Sequence, residues 1–365
     1  MKDIKHLEID KSILSYKFPH KCLFMHLFLQ RKESTYTMKR FFNILLAAIL
    51  IIPLLSSCKK EEPPPPEIWP VEAAGVTISK VPKRVVSLSP SMTENLFVLG
   101  YGGRVVGISD RCIIPDASPE LPDCGTVLNP DIDAIIKLSP DLVISSSDLP
   151  SAMTDALNEI GAVSLVIRYG ETLDDIMQNY LDICTAFEGE ETGALRQRQL
   201  QYYSEEILEY INEEVSSQLD EEVSAIFLRK IPFIIATGDT VEGQLLADMG
   251  FINQAEDFFD WSYPPEFEPD LNPRYIFCDE SIDIDELREN SYYKQTSAVV
   301  NEMVYSVSFS DFERQSPLMF LALENYMREV FPDAFETERP NLELSLPKYI
   351  PPEPEKSWWE KLLNK

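Results

Sequence analysis

The sequence predicts an α/β protein in which two parallel-sheet lobes are joined by a long backbone helix. Short apolar runs alternate with helical patterns over residues 84–167, and the same alternation returns from residue 223 onward. Between them, residues 172–218 hold neither a proline nor a β-rich run and keep a helical period. The apolar runs are continuous rather than alternating, as expected of strands covered on both faces by helices.

The first lobe opens at Arg84. Val85-Val86-Ser87-Leu88 reads as a strand, and Ser89-Pro90-Ser91 leads into a helix through Leu99 that Gly100 and Gly102-Gly103 stop. Val105 to Ile108 is the next strand. Asp131 to Leu138 has helical spacing, with Ile132, Ile135 and Ile136 apolar, and Pro140-Asp141 then precedes the strand Leu142-Val143-Ile144. A helix over 152–160 ends at Gly161, ahead of a strand over 163–167.

The connector is expected as a helix from Asp174 to Phe187, a break at 189–193 (GEETG), and a second helix from Ala194 to Ser217. Leu200, Ser204, Ile207, Ile211 and Val215 recur on one face, and glutamates fill the others. At 1.5 Å per residue this helix reaches roughly 36 Å, enough to cross between two lobes. The alternative is a long surface helix of a single domain.

In the second lobe, strands are expected at 223–228, 233–235, 274–277 and 304–307. Gly238-Asp239-Thr240 is a turn into a helix that Gly250 stops. Ser316-Pro317 opens a last helix reaching Phe331, with proline at the favourable first position. The resulting boundaries are 81–170 for the first lobe, 171–220 for the connector, 221–332 for the second lobe and 333–365 for a Pro-rich tail.

Composition removes several functions. The 365 residues carry 32 basic and 61 acidic side chains, a formal charge of -29, which argues against nucleic acid as a partner. All three histidines (His6, His20, His26) precede Cys58, so a product starting there has no Ser-His-Asp triad, Cys-His dyad or His-ligated metal. No phosphate-binding, zincin or nucleophile-elbow motif is present, and no enzyme is expected. A glycosidase-like carboxylate pair is not refuted by counting, but no pair stands out. No metal site and no resident cofactor are assigned.

The front end reads as an address. Lys39 and Arg40 precede an apolar run from Phe41 to Leu55, then Ser56, Ser57 and Cys58. This is the layout of a secretory signal, too short for a bilayer span of roughly 18 to 25 residues. A transmembrane anchor is the alternative. Residues 38–57 are therefore read as a signal peptide, and 1–37 as an upstream start artefact. Residues 58–80, containing Pro63 to Pro66, are read as an extended tether. Cys112 and Cys124, twelve apart across a Pro-rich loop, are spaced for a local bridge in an oxidising compartment; two free thiols are the alternative.

Leu55-Ser56-Ser57-Cys58 resembles the bacterial lipobox, which implies acylation of Cys58 and a membrane anchor facing the periplasm or exterior. The whole arrangement resembles the helical-backbone class of substrate-binding proteins of ABC importers. The strings that carry this are 82–94 (PKRVVSLSPSMTE), the segment 125–144 containing 138–144 (LSPDLVI), and 272–277 (NPRYIF), and the likeness covers roughly residues 82–331. It implies ligand capture in a cleft between lobes, a small hinge motion, a monomer, and a permease partner with a cytoplasmic ATPase. It also implies one docking carboxylate per lobe, at Asp133 and Glu266, each seven residues before a proline (Pro140, Pro273).

The ligand is less determined. Residues 310–317 (SDFERQSP) resemble a cleft-facing loop of cobalamin-binding members, which implies a corrinoid. Candidate ligand contacts are Arg111, Trp261, Tyr263, Asp311, Phe312 and Arg314: aromatic faces for a flat macrocycle, polar groups for its amide rim. Arg111 and Arg314 also suit a ferric chelate or haem, because arginine forks bind carboxylates. Any cobalt or iron would arrive inside the ligand. A non-transport structural lipoprotein is the other class left open.

Overall fold

The structure, a computed structural model, describes residues 68–112, 120–219 and 223–336. The expectations for residues 1–57, for Cys58 and for the tail beyond Glu336 lie outside the described residues. Among the described residues, no helix is long and apolar enough to cross a membrane.

The first lobe is a four-stranded parallel sheet in the order β4-β3-β5-β6, from β3 (Val85–Ser87), β4 (Val105–Ile108), β5 (Leu142–Ser145) and β6 (Val163–Val166). Helices α1 (Pro90–Val98), α2 (Ile132–Lys137) and α3 (Ser151–Ile160) connect the strands. The continuous apolar runs are explained by two-sided burial. Val85, Leu142 and Ile144 face one hydrophobic cluster, while Val86 and Val143 face another with Ile135, Met153 and Leu157.

Ahead of this sheet, β1 (Val71–Ala73) and β2 (Val76–Ile78) form an antiparallel hairpin. Val71, Ala73 and Ile78 are buried in the main core. The tether expected over 58–80 is thus corrected from residue 68 onward. Three alternating apolar side chains find a face to cover, which a spacer would not supply.

The connector begins at α4 (Leu173–Glu188), opened by a reciprocal capping box between Thr172 and Asp175. The expected break shrinks to one residue. Gly189, at φ +87°, turns the chain directly into α5 (Glu190–Gln218), 29 residues and about 43 Å long. Gly193 lies inside α5 because the two helices touch there: a Cβ on Gly193 would sit 2.6 Å from the Thr185 backbone nitrogen.

In the second lobe, the central strand β7 (Val223–Lys230) pairs in parallel with β10 (Tyr275–Asp279), which pairs with β11 (Val304–Val307). On its other edge, β7 takes β9 (Phe251–Asn253) in parallel and β8 (Ile234–Ile235) antiparallel. Helices α6 (Val241–Asp248), α7 (Ile284–Glu289), α8 (Ser297–Val300), α9 (Phe309–Glu313) and α10 (Leu318–Val330) complete it.

The long helix serves both halves. Leu200, Ile207, Ile211 and Val215 share one hydrophobic cluster with Leu142 and Leu165 of the first sheet and Phe227 and Phe277 of the second. Arg328 of α10 reaches Tyr210 Oη at 3.2 Å, and Asn212 donates to the Asp248 carbonyl at 2.8 Å. Phe335 packs edge-on to Tyr210 at 5.7 Å, so residues up to 336 belong to the body rather than to the expected tail.

Candidate functional site

Parallel α/β sheets present their strand C-terminal ends to ligands. Here two cavities lie at such strand ends, one within the second lobe and one between the lobes. One of about 360 Å³ is lined by Arg229, Lys230, Asp279, Glu280, Phe309 and Glu313. The other, about 220 Å³, lies between Tyr169 and Glu171, in the segment after β6, and Asp239, Glu242, Asp260 and Trp261 of the second lobe.

The aromatic wall is built by a strained turn. Asp260 and Trp261 both have left-handed backbones, at φ +55° and +59°, a conformation costly for side chains other than glycine. Asp239 holds them there: its carboxylate accepts from the Asp260 N–H at 3.0 Å and from the Thr237 hydroxyl at 2.6 Å, whose oxygen accepts from the Trp261 N–H at 3.1 Å. Burial alone would raise the Asp239 carboxyl, but these hydrogen bonds outweigh it and hold it below the usual range. Arg229 lies over the Trp261 ring at 5.4 Å and over Phe309 at 5.6 Å, and its guanidinium pairs with Glu313.

Beneath this stack, Glu242 in the first turn of α6 is 1% exposed, and its Oε1 has no hydrogen-bond partner among the described residues. Burial pushes its carboxyl up to about 7, opposed by its own backbone N–H and by Arg229 and reinforced by Glu313. Opposite it, Tyr169 is 46% exposed at the first-lobe rim. Its hydroxyl is held above its ordinary range by burial and by the nearby Glu242 and Glu313 carboxylates.

Of the residues singled out in sequence, Trp261 lies in the cleft wall and Arg111 is exposed at the end of β4. Two others are corrected. Phe312 is fully buried among Phe227, Phe309 and Tyr326. Tyr263, 4% exposed, packs on Phe233 and Phe258 and donates to the Phe267 carbonyl at 3.0 Å, anchoring the segment that carries Glu266.

Asp311 and Arg314 are committed to a junction between lobes. Arg314 Nε lies 2.5 Å from Glu94 Oε2, an ion pair without hydrogen-bond alignment, and its Nη2 donates to Asp311 at 2.7 Å. Asn95 and Ser91 donate to the Arg314 carbonyl at 3.3 and 2.8 Å. Gln315 exchanges two hydrogen bonds with the Gly170 backbone, at 2.8 and 2.7 Å. The stretch read as a ligand loop is therefore a short helix, α9, followed by an interlobe latch.

The proposed bridge between Cys112 and Cys124 is also corrected: both are free thiols. Cys112 Sγ lies 2.9 Å from the Thr93 hydroxyl and 3.0 Å from that of Ser109. Cys124 is sealed in the opposite core layer, where burial pushes its thiol up to about 11. Asp133 is exposed in the first turn of α2, and Glu266 is exposed in a short 3-10 helix over Pro265–Asp270, not an α-helix. Among the described residues neither makes an ion pair.

The cleft residues that sequence reasoning missed are Tyr169, Arg229, Glu242, Phe309 and Glu313. Their signal is position at the ends of elements: Arg229 lies at the end of β7, Tyr169 follows β6, Glu242 and Phe309 lie in the first turns of helices, and Glu313 closes the short helix after β11. Among the described residues no group of three His, Cys, Asp or Glu side chains is placed to hold a metal ion.

A family model described as periplasmic binding protein matches residues 85–309. The chain belongs to that family. Its members are substrate carriers rather than enzymes. Over 268 residues the chain is 27% identical to an ABC transporter substrate-binding lipoprotein of Bacillus subtilis (YvrC, itself uncharacterized), covering 72% of this chain and 84% of that one. It is 29% identical over 183 residues to the Fe(3+) dicitrate-binding periplasmic protein FecB of Escherichia coli, covering 48% of this chain and 58% of FecB. The fold matches the periplasmic vitamin B12 binding protein BtuF of Vibrio cholerae with TM-score 0.51 and 20% identity, over 70% of this chain and 99% of that one.

Proposed function

We propose that this protein captures a corrinoid in the cleft beneath Trp261 and delivers it to an inner-membrane permease, tethered to the membrane through acylated Cys58. The observation that carries the ligand choice is the charge of the cleft. The two cavity linings hold seven carboxyl side chains (Asp279, Glu280, Glu313, Glu171, Asp239, Glu242, Asp260) against two basic ones (Arg229, Lys230). Arg229 is already neutralised by Glu313. Such a lining repels a ligand rimmed by carboxylates and accepts one rimmed by amide N–H donors, beside aromatic faces for a flat ring. A ferric chelate is the second reading, favoured by Lys230, which makes no ion pair among the described residues.

Calorimetry of the purified protein with cyanocobalamin, haem and ferric dicitrate tests the choice. Submicromolar binding of cyanocobalamin is expected. Tight binding of ferric dicitrate or haem with no corrinoid heat rejects it.

Delivery is assigned to Asp133 and Glu266. Each helical segment runs back to the start of the next parallel strand, which sets its first turn on the cleft side of its lobe. Paired with permease arginines, these carboxylates would fix register on the transporter. The double variant Asp133→Lys, Glu266→Lys should lower cobalamin uptake about tenfold or more, the effect of about 1.4 kcal/mol, with unchanged affinity for cyanocobalamin. Normal uptake by the double variant at wild-type protein levels refutes the assignment.

A further inference from the structure

Glu242 occupies an interior position with an oxygen, Oε1, that no described residue satisfies, on a side chain that lines the cavity between the lobes. Buried polar atoms are rarely left so, and an orphaned one on a cavity-lining side chain points to a partner that arrives from outside. Every group around it sharpens the kind of partner. Tyr169 and Glu171 face it from the segment after β6, and Asp239, Asp260 and Trp261 share its cavity. Arg229 from β7 and Glu313 from α9 act on it electrostatically, as an ion pair with each other. A carboxylate on the ligand would meet four acids in this cavity (Glu171, Asp239, Glu242, Asp260) with no basic side chain in its lining.

We infer that Glu242 is the specificity-determining residue of the cleft: its free oxygen accepts a hydrogen bond from a primary amide or ammonium of the captured ligand. This rests on the interlobe cleft being the capture site, but not on the ligand being a corrinoid. Cyanocobalamin supplies amides, ferrioxamine B supplies an ammonium, and haem and ferric dicitrate supply carboxylates.

The sign of the pH dependence separates these. With its carboxyl raised to about 7, Glu242 is protonated on the acid side and anionic on the alkaline side. A donor-bearing ligand needs the anion, so its affinity rises with pH through neutrality. A carboxylate-bearing ligand needs the acid form, so its affinity falls. For the first, only the competent fraction binds, which gives about a tenfold gain between roughly pH 6 and pH 8. Glu242→Gln keeps an acceptor but not the charge, and should flatten that profile and weaken binding about tenfold at the alkaline end.

The test is calorimetric affinity for the four probes across that range, for wild type and Glu242→Gln, with a thermal melt to show that the variant is folded. Cyanocobalamin binding that rises with pH and loses its slope in the variant supports both this inference and the corrinoid reading. The same behaviour with ferrioxamine B alone supports the inference and rejects the corrinoid. Cyanocobalamin binding that is flat with pH and indifferent to the variant keeps the corrinoid and overturns the role of Glu242. Affinity for haem or ferric dicitrate that falls with pH, or no binding of any probe, overturns the inference as well.

Discussion

Truncating Phe312 to alanine should destabilise the protein by about 3–5 kcal/mol, the range for removing a buried phenylalanine ring. The ring is fully buried and lies 5.6 Å from Phe227, 6.1 Å from Phe309 and 6.1 Å from Tyr326. The loss would not stay local. Tyr326 donates to Asp311 Oδ2 at 2.8 Å, and Asp311 Oδ1 takes Arg314, whose guanidinium meets Glu94 of the other lobe. A cavity under α9 therefore loosens the floor of the Arg229–Trp261 wall and the junction between lobes together. Denaturant unfolding should show a lower midpoint at unchanged slope. Should Phe312→Ala unfold within about 1 kcal/mol of wild type yet lose cyanocobalamin, the ring is a ligand contact after all, since that is too small for a core deletion.

That correction shows what the sequence can and cannot convey. Strands β3, β5, β7 and β10 are legible because both of their faces are covered, which leaves mostly apolar runs, those of β3, β5 and β10 entered two or three residues after a proline (Pro82, Pro140, Pro273). The hairpin at 71–78 is not, because each strand has three residues and only three of the six side chains are deeply buried. Gly193 misleads for a different reason. Locally it reads as a helix breaker, yet the contact that requires it is with Thr185 on the neighbouring helix. Local pattern cannot report a requirement imposed by a second element.

The cleft follows the same logic. Trp261, Tyr263 and Phe312 are equivalent in sequence, each a candidate aromatic face for the ligand. What separates them is backbone direction: Trp261 is turned outward by two left-handed residues that Asp239 and Thr237 hold in place. Tyr169 and Glu242 are more than seventy residues apart in sequence and share a cavity only because the lobes are latched. Gln315–Gly170 and Arg314–Glu94 join the lobes beside the cleft, and α5 joins them through the core.

Replacing Glu242 by glutamine should make the ligand-free protein more stable at alkaline pH by about 3 kcal/mol. The carboxyl rises from 4.5 to about 7 on folding, chiefly through burial, and each unit corresponds to about 1.4 kcal/mol. A raised acid pKa means that the folded state binds the proton more tightly than the unfolded chain. Its favourable contribution is thus complete below about 4.5 and is lost as pH rises through about 7. The difference in unfolding free energy between wild type and Glu242→Gln should accordingly be small in acid, grow across that window and level off above it. A difference that stays constant across the window would mean that the carboxylate is already satisfied in the empty cleft. The expected outcome is a residue that weakens the resting protein at alkaline pH, the behaviour of a buried carboxylate with no hydrogen-bond donor for Oε1 among the described residues.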